Sequence, residues 1–105
     1  VEKFGQELKA DQRFIDIVDE LKALHIKKGH DYGTNDDHFA NVRASEEFGL
    51  PAYLGVLIRM NDKMQRMKQF ARKGGLANES FEDSLYDMAS YAIIALILYR
   101  EEKDK

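Results

Sequence analysis

Apolar residues recur at steps of three and four over three long segments of this chain, and Pro51 is its single proline. That spacing is the period of an amphipathic helix. It predicts an all-α fold, a small antiparallel bundle of about four helices that oligomerisation completes. Phe14, Ile17, Val18, Leu21 and Leu24 place a first helix from Asp11 to Lys28, with Gly29 as its stop. Phe39 and Val42 place a short second helix ahead of "EEFGLP". The third starts near Pro51, puts Leu54, Leu57, Ile58, Met64 and Met67 on its buried side, and ends at "KGG". The fourth opens around Asn78 to Ser80, where "SFED" fits a capping box. It continues through Leu85, Met88, Ala89, Ala92, Ile93, Leu96 and Ile97 and is expected to fray in "REEKDK".

With 105 residues, 44% of them apolar and 33% charged, the chain reads as one globular domain over residues 1–105. Its longest apolar run, "YAIIALILY", is far short of the ~20 residues that span a bilayer, so no membrane partner is expected. Glu2, Lys3 and Gln6 break any secretory pattern at the start, and the absence of cysteine rules out a disulfide framework. A cytoplasmic location is the expectation. The net charge of −3 argues against binding duplex nucleic acid, which calls for a broad basic face.

The charges are segregated. Arg59, Lys63, Arg66, Lys68, Arg72 and Lys73 are opposed only by Asp62 within residues 59–73, whereas Glu79, Glu82, Asp83 and Asp87 have no cation among them. A short connection between the third and fourth helices sets these two stretches side by side. Glu79, Asp83 and Asp87 stand four apart, in one row on a helix face, where like charges repel by roughly 0.2–0.5 kcal/mol per pair. A Mg²⁺ ion among them would relieve that repulsion, and Asp62 could reach it from the third helix. Capping and the helix dipole account equally well for Glu79, Glu82 and Asp83, less well for Asp87. Arg59, Lys63 and Arg66 follow one stripe and suit either interhelical ion pairs or a polyphosphate.

The stretch "KKGHDYGTNDDHF" interrupts the periodicity with rings and ionisable groups. His30, Asp31 and Tyr32 are candidates for contact with a base or sugar, and the stretch is expected to wall or cover the pocket. His30 and His38 lack a zinc spacing, Phe39 reads as core, and His25 as a boundary residue of the first helix.

Taken in order, "KGHDYG", "HFANVRASEEFG", "LIRMNDKMQR" and "NESFEDSLYDMASYAIIAL" resemble the phage-associated nucleotide-modification family, Nmad. That family looks distantly similar to MazG-like and dimeric dUTPase-like all-α nucleoside-triphosphate pyrophosphohydrolases, which hold Mg²⁺ with acids from two antiparallel helices. The resemblance implies Glu79, Asp83 and Asp87 as the catalytic and metal-binding acids, with Asp62 as a further ligand. Those enzymes carry E-x-x-E on the first helix and E-x-x-D on the second. Here Asp62 is the acid among Arg59, Lys63 and Arg66, and Ser84 stands three before Asp87.

The leading expectation is a Mg²⁺-dependent (deoxy)nucleoside triphosphate pyrophosphohydrolase-like protein, a homodimer or higher oligomer, located in the host cytoplasm if phage-encoded. In it Arg59, Lys63 and Arg66 would grip phosphates, and His30, Asp31 and Tyr32 would meet the base or sugar. A non-catalytic nucleotide binder is the alternative, and a helical interaction module without a ligand is a third.

Overall fold

The computed structural model describes residues 9–32, 39, 42–74 and 80–105, with the backbone alone for 29–32. Among the described residues every regular element is helical: α1 (Gln12–Tyr32), a 3₁₀ helix (Ala44–Phe48), α2 (Ala52–Lys73) and α3 (Phe81–Lys103). The all-α class agrees with the periodicity, but the described residues form three α-helices rather than four. The segment before Pro51 is the 3₁₀ helix. Gly49 closes it in the left-handed region at φ 79°, where its amide reaches the Glu46 carbonyl, and Pro51 forbids continuation two residues later.

Local chemistry sets the other boundaries. The Asp11 carboxylate accepts from the Arg13 amide at 2.8 Å and opens α1. The helix then runs beyond its expected stop at Gly29, to Tyr32. One interior glycine costs only about 1 kcal/mol relative to alanine, too little to end a helix that is anchored at the preceding residue, as shown below. The Ser80 hydroxyl accepts from the Asp83 amide at 3.0 Å and caps α3, as the "SFED" pattern indicates. Rather than fraying at Arg100, α3 stays helical to Lys103, and Arg43 grips Glu101 at 3.1 Å on that last turn.

Helices α2 and α3 form an antiparallel hairpin. Phe70 and Phe81 stack at one end with ring centroids 4.4 Å apart, and Tyr53 meets Tyr99 edge to face at 5.3 Å at the other. The seam between them is made largely of small and medium side chains. Ala52, Val56 and Met67 are buried on α2, and Ser84 and Leu98 on α3, with Val42 joining the core from before the 3₁₀ helix. The stripe expected on α2 is therefore rotated. Met67 is buried and Leu54 half-buried, but Leu57, Ile58 and Met64 are exposed. On α3, likewise, Leu85, Ile93, Leu96 and Ile97 lie outside the seam. No helix among the described residues is long and apolar enough to cross a membrane.

Gly55 of α2 faces the 3₁₀ helix. A Cβ placed there would lie 2.6 Å from the Ser45 hydroxyl oxygen and 2.9 Å from its Cβ, so the 3₁₀ helix rests directly on the α2 backbone. Ser45 is itself fixed by donating to the Pro51 carbonyl at 3.2 Å. Gly55→Ala is expected to lower unfolding free energy in urea by about 1–3 kcal/mol through overpacking, outweighing alanine's better helix propensity. Adding Ser45→Gly should recover most of that loss, whereas an increase in stability from Gly55→Ala alone would contradict the contact.

Candidate functional site

The three α-helices meet at one carboxylate. The Lys28 ammonium of α1 lies 2.9 Å from Asp87 Oδ1 on α3, and the Lys63 ammonium of α2 lies 3.1 Å from Asp87 Oδ2. Burial is graded across the trio, with side-chain exposures of 9% for Lys63, 22% for Asp87 and 53% for Lys28. Lys63 is buried because it falls on the seam, three and four residues from Met60 and Met67. Its aliphatic stem packs there while the charged head reaches a partner. Lys28 continues the Leu21 and His25 face of α1 in the same manner.

Burial alone pushes the Asp87 carboxyl up. The hydrogen bonds from Lys28 and Lys63, with their positive charges, outweigh it and hold the group below the ordinary value of 3.8. Asp87 is thus ionised throughout the neutral range. Beside it, the Tyr86 hydroxyl donates to the Glu20 carboxylate on α1. That bond is the main reason the Tyr86 hydroxyl is pushed up to about 12, with desolvation and the charges of Glu20 and Glu82 adding to it.

The residues expected to form the site are only partly brought together. Lys63 and Asp87 meet. Asp83 lies one turn before Asp87, exposed, with its backbone amide engaged in the Ser80 cap. Arg59 and Arg66 stand one turn to either side of Lys63, and both are exposed, as is Asp62. Glu79 and His38 lie outside the described residues, as do the side chains of His30, Asp31 and Tyr32. The interrupting stretch divides: residues 27–32 complete α1, and 33–38 lie outside the described residues. Ser84, where the pyrophosphohydrolase pattern would have an acid, is fully buried in the α2–α3 seam.

Among the described residues no three His, Cys, Asp or Glu side chains form a group able to hold a metal. Lys28 is the participant that sequence reasoning missed. The available signal was a cation standing where the α1 stripe calls for an apolar residue.

A family model described as nucleotide modification associated domain 1 matches residues 28–98. The chain belongs to this family. No curated protein and no solved structure gives a match. The nucleotide modification associated domain encloses the whole ion-pair junction, since Lys28 opens the matched stretch and Lys63 and Asp87 fall within it.

Asp87→Asn removes a carboxylate from a buried ammonium and should destabilise the fold by roughly 2–3 kcal/mol at neutral pH. Lys28→Ala, at the exposed end of the trio, should cost about 1 kcal/mol or less. Because the folded-state pKa of Asp87 is depressed, its stabilising contribution is complete above the ordinary carboxylate value. It is lost as pH falls through the lower folded value. The gap between native protein and Asp87→Asn should therefore narrow below about pH 4, as followed by denaturant titration. A gap that stays constant down to strongly acid pH would refute the ion-pair account.

Proposed function

We propose that this nucleotide modification associated domain binds a (deoxy)nucleoside triphosphate, or a closely related nucleotide, where its three helices meet. What carries the reading is the convergence of two ammoniums from separate helices on one partly exposed carboxylate. An ammonium has three donors. Lys28, half exposed, directs one to Asp87 and can direct others to a phosphate oxygen. Arg59 and Arg66 flank Lys63 and add forked guanidinium donors matched to phosphate geometry. Asp87 would act chiefly as an orienting group, holding two cations at a spacing that their mutual repulsion would otherwise widen.

Mg²⁺-dependent hydrolysis of the kind carried out by MazG-like enzymes is the second reading, favoured by Asp83 standing one turn from Asp87 on α3. Both Asp87 oxygens are held by ammoniums, so among the described acids Asp83 is the better placed to meet a metal, with Glu79 and Asp62 as further candidates. Phosphate oxygens and water would complete the shell. When bound, Mg²⁺ would acidify a water and neutralise phosphate charge. The chain's own contribution is to hold the phosphates on Lys28, Arg59 and Arg66.

Calorimetry with nucleoside triphosphates, with and without Mg²⁺, followed by product analysis, tests both readings. Binding that drops tenfold or more in Arg59→Ala/Arg66→Ala, with the nucleotide recovered intact, is the result expected of a binder. Pyrophosphate release that vanishes in Asp83→Ala would instead assign hydrolysis. No heat from any nucleotide under either condition would refute the binding site altogether.

We further propose a homodimer or higher homo-oligomer. Phe14, Ile17, Leu57 and Ile58 are among the large apolar side chains left in water, and a second copy of the chain would cover such faces. Sedimentation velocity at micromolar concentration should give at least twice the chain mass, with Phe14→Glu or Ile58→Glu shifting it downward. A monomer for the native chain would dismiss the assembly.

A further inference from the structure

We infer that the groove between α1 and α3 receives the base of the nucleotide whose phosphates sit at the three-helix junction, an inference that rests on the phosphate-binding reading above. The groove has a volume of about 250 Å³. That is below the ~300–1,000 Å³ of pockets that enclose a whole drug-sized ligand, so it suits one ring system rather than a complete nucleotide. Its walls are apolar, from Leu21 on α1 and Ile93, Ile94 and Ile97 on α3, and the His25 ring and the Ser90 hydroxyl supply polar groups. Phe39, half-buried at its edge, lies with its ring centroid 6.1 Å from that of His25 and a 32° angle between the planes. An apolar slot edged by a pair of rings in contact with each other, with polar groups in its lining, matches what a heteroaromatic base requires: apolar and ring surface for its π face and hydrogen-bonding groups for its edge.

Position ties the groove to the charges. Ser90 follows Asp87 by three residues on α3, and His25 precedes Lys28 by three on α1. Three residues advance about 4.5 Å along a helix axis, so the apolar slot opens directly beside the ammonium–carboxylate pair. A ligand anionic at one end and aromatic at the other is complementary to that continuous surface. A purely apolar occupant would leave the cationic end unused, and a free phosphate would leave the slot empty. Phe39 packs against the core as the sequence leads one to expect, and the slot adds a ligand-facing edge to it and to His25.

The test compares inorganic tripolyphosphate with deoxynucleoside triphosphates on the native protein and on two groove-filling variants, Ser90→Leu and Ile93→Trp. Ile93 is exposed, so the second variant has solvent into which to relax, and helical circular dichroism together with Tm verifies that each variant folds. The native protein should bind at least one nucleotide about tenfold or more tightly than tripolyphosphate. Both variants should lose that margin while keeping their affinity for tripolyphosphate. Equal affinity of native protein for nucleotide and tripolyphosphate would overturn the base site and leave the phosphate site standing. So would a margin that survives groove filling. Should the variants instead change the sedimentation of ligand-free protein and leave the margin untouched, the groove belongs to a second copy of the chain. If the native protein binds neither anion, the phosphate reading falls and takes the base site with it.

Discussion

The arrangement of this domain depends on a negative charge, Asp87, on which ammoniums from the two other helices converge. Lys63 can occupy the α2–α3 seam because a carboxylate waits for it at 3.1 Å, and α1 reaches α3 through Lys28 on the other oxygen of the same group. A buried pair of this kind contributes little net stability, since desolvation consumes most of the Coulombic gain. What it supplies is specificity of arrangement. An apolar residue at 63 could pack in several registers, whereas an ammonium bonded to the Asp87 carboxylate favours a single one. The same logic sets the state of the surface above it. With Asp87 ionised and shared, the cationic heads are presented at a defined spacing, which a flexible polyanion can meet without reorganising the protein.

Much of the fold can be read from the residues, and the failures have a common physical origin. The three long helices, the Ser80 cap and the α2–α3 hairpin follow from periodicity, cap chemistry and a short connection. The faces do not. Counting large apolar residues selects Leu57, Ile58 and Met64 as the buried side of α2, yet the face that is buried carries Ala52 and Val56, and Gly55 admits the 3₁₀ helix against the α2 backbone. Size and hydrophobicity pull in different directions here, and packing geometry decides. The site shows the same pattern. Setting the stripe of Arg59, Lys63 and Arg66 against the acidic row is right for Lys63, which meets Asp87, but spacing does not show that Lys63 is buried while its two neighbours are exposed. Lys28 escapes notice because its partner lies 59 residues away, beyond any local pattern.

Family membership and geometry bear on different questions. Membership in the nucleotide modification associated domain family rests on residues 28–98. The nucleotide-binding proposal rests on the geometry, a cationic junction with an apolar slot alongside. Helix α1 up to Lys27 precedes the matched stretch, so the slot is walled partly from inside it, by α3 and Phe39, and partly from outside, by Leu21 and His25. Charge recognition would then reside wholly within the matched domain, and discrimination among bases would draw on both.

The polar ties of α1 to α3 converge on two neighbouring residues, since Glu20 is held by Tyr86 and Lys28 by Asp87. The α2–α3 hairpin, in contrast, is closed by an aromatic pair at either end of a continuous buried seam. On α1 the two ties stand eight residues apart, and the ionic one, Lys28 to Asp87, weakens with salt while the aromatic contacts do not. Amide protons of α1 should consequently exchange through a shallower opening than those of the hairpin, a difference that dissolved electrolyte widens. The domain is in that sense a rigid two-helix frame carrying one leaf whose freedom the surrounding ionic medium sets.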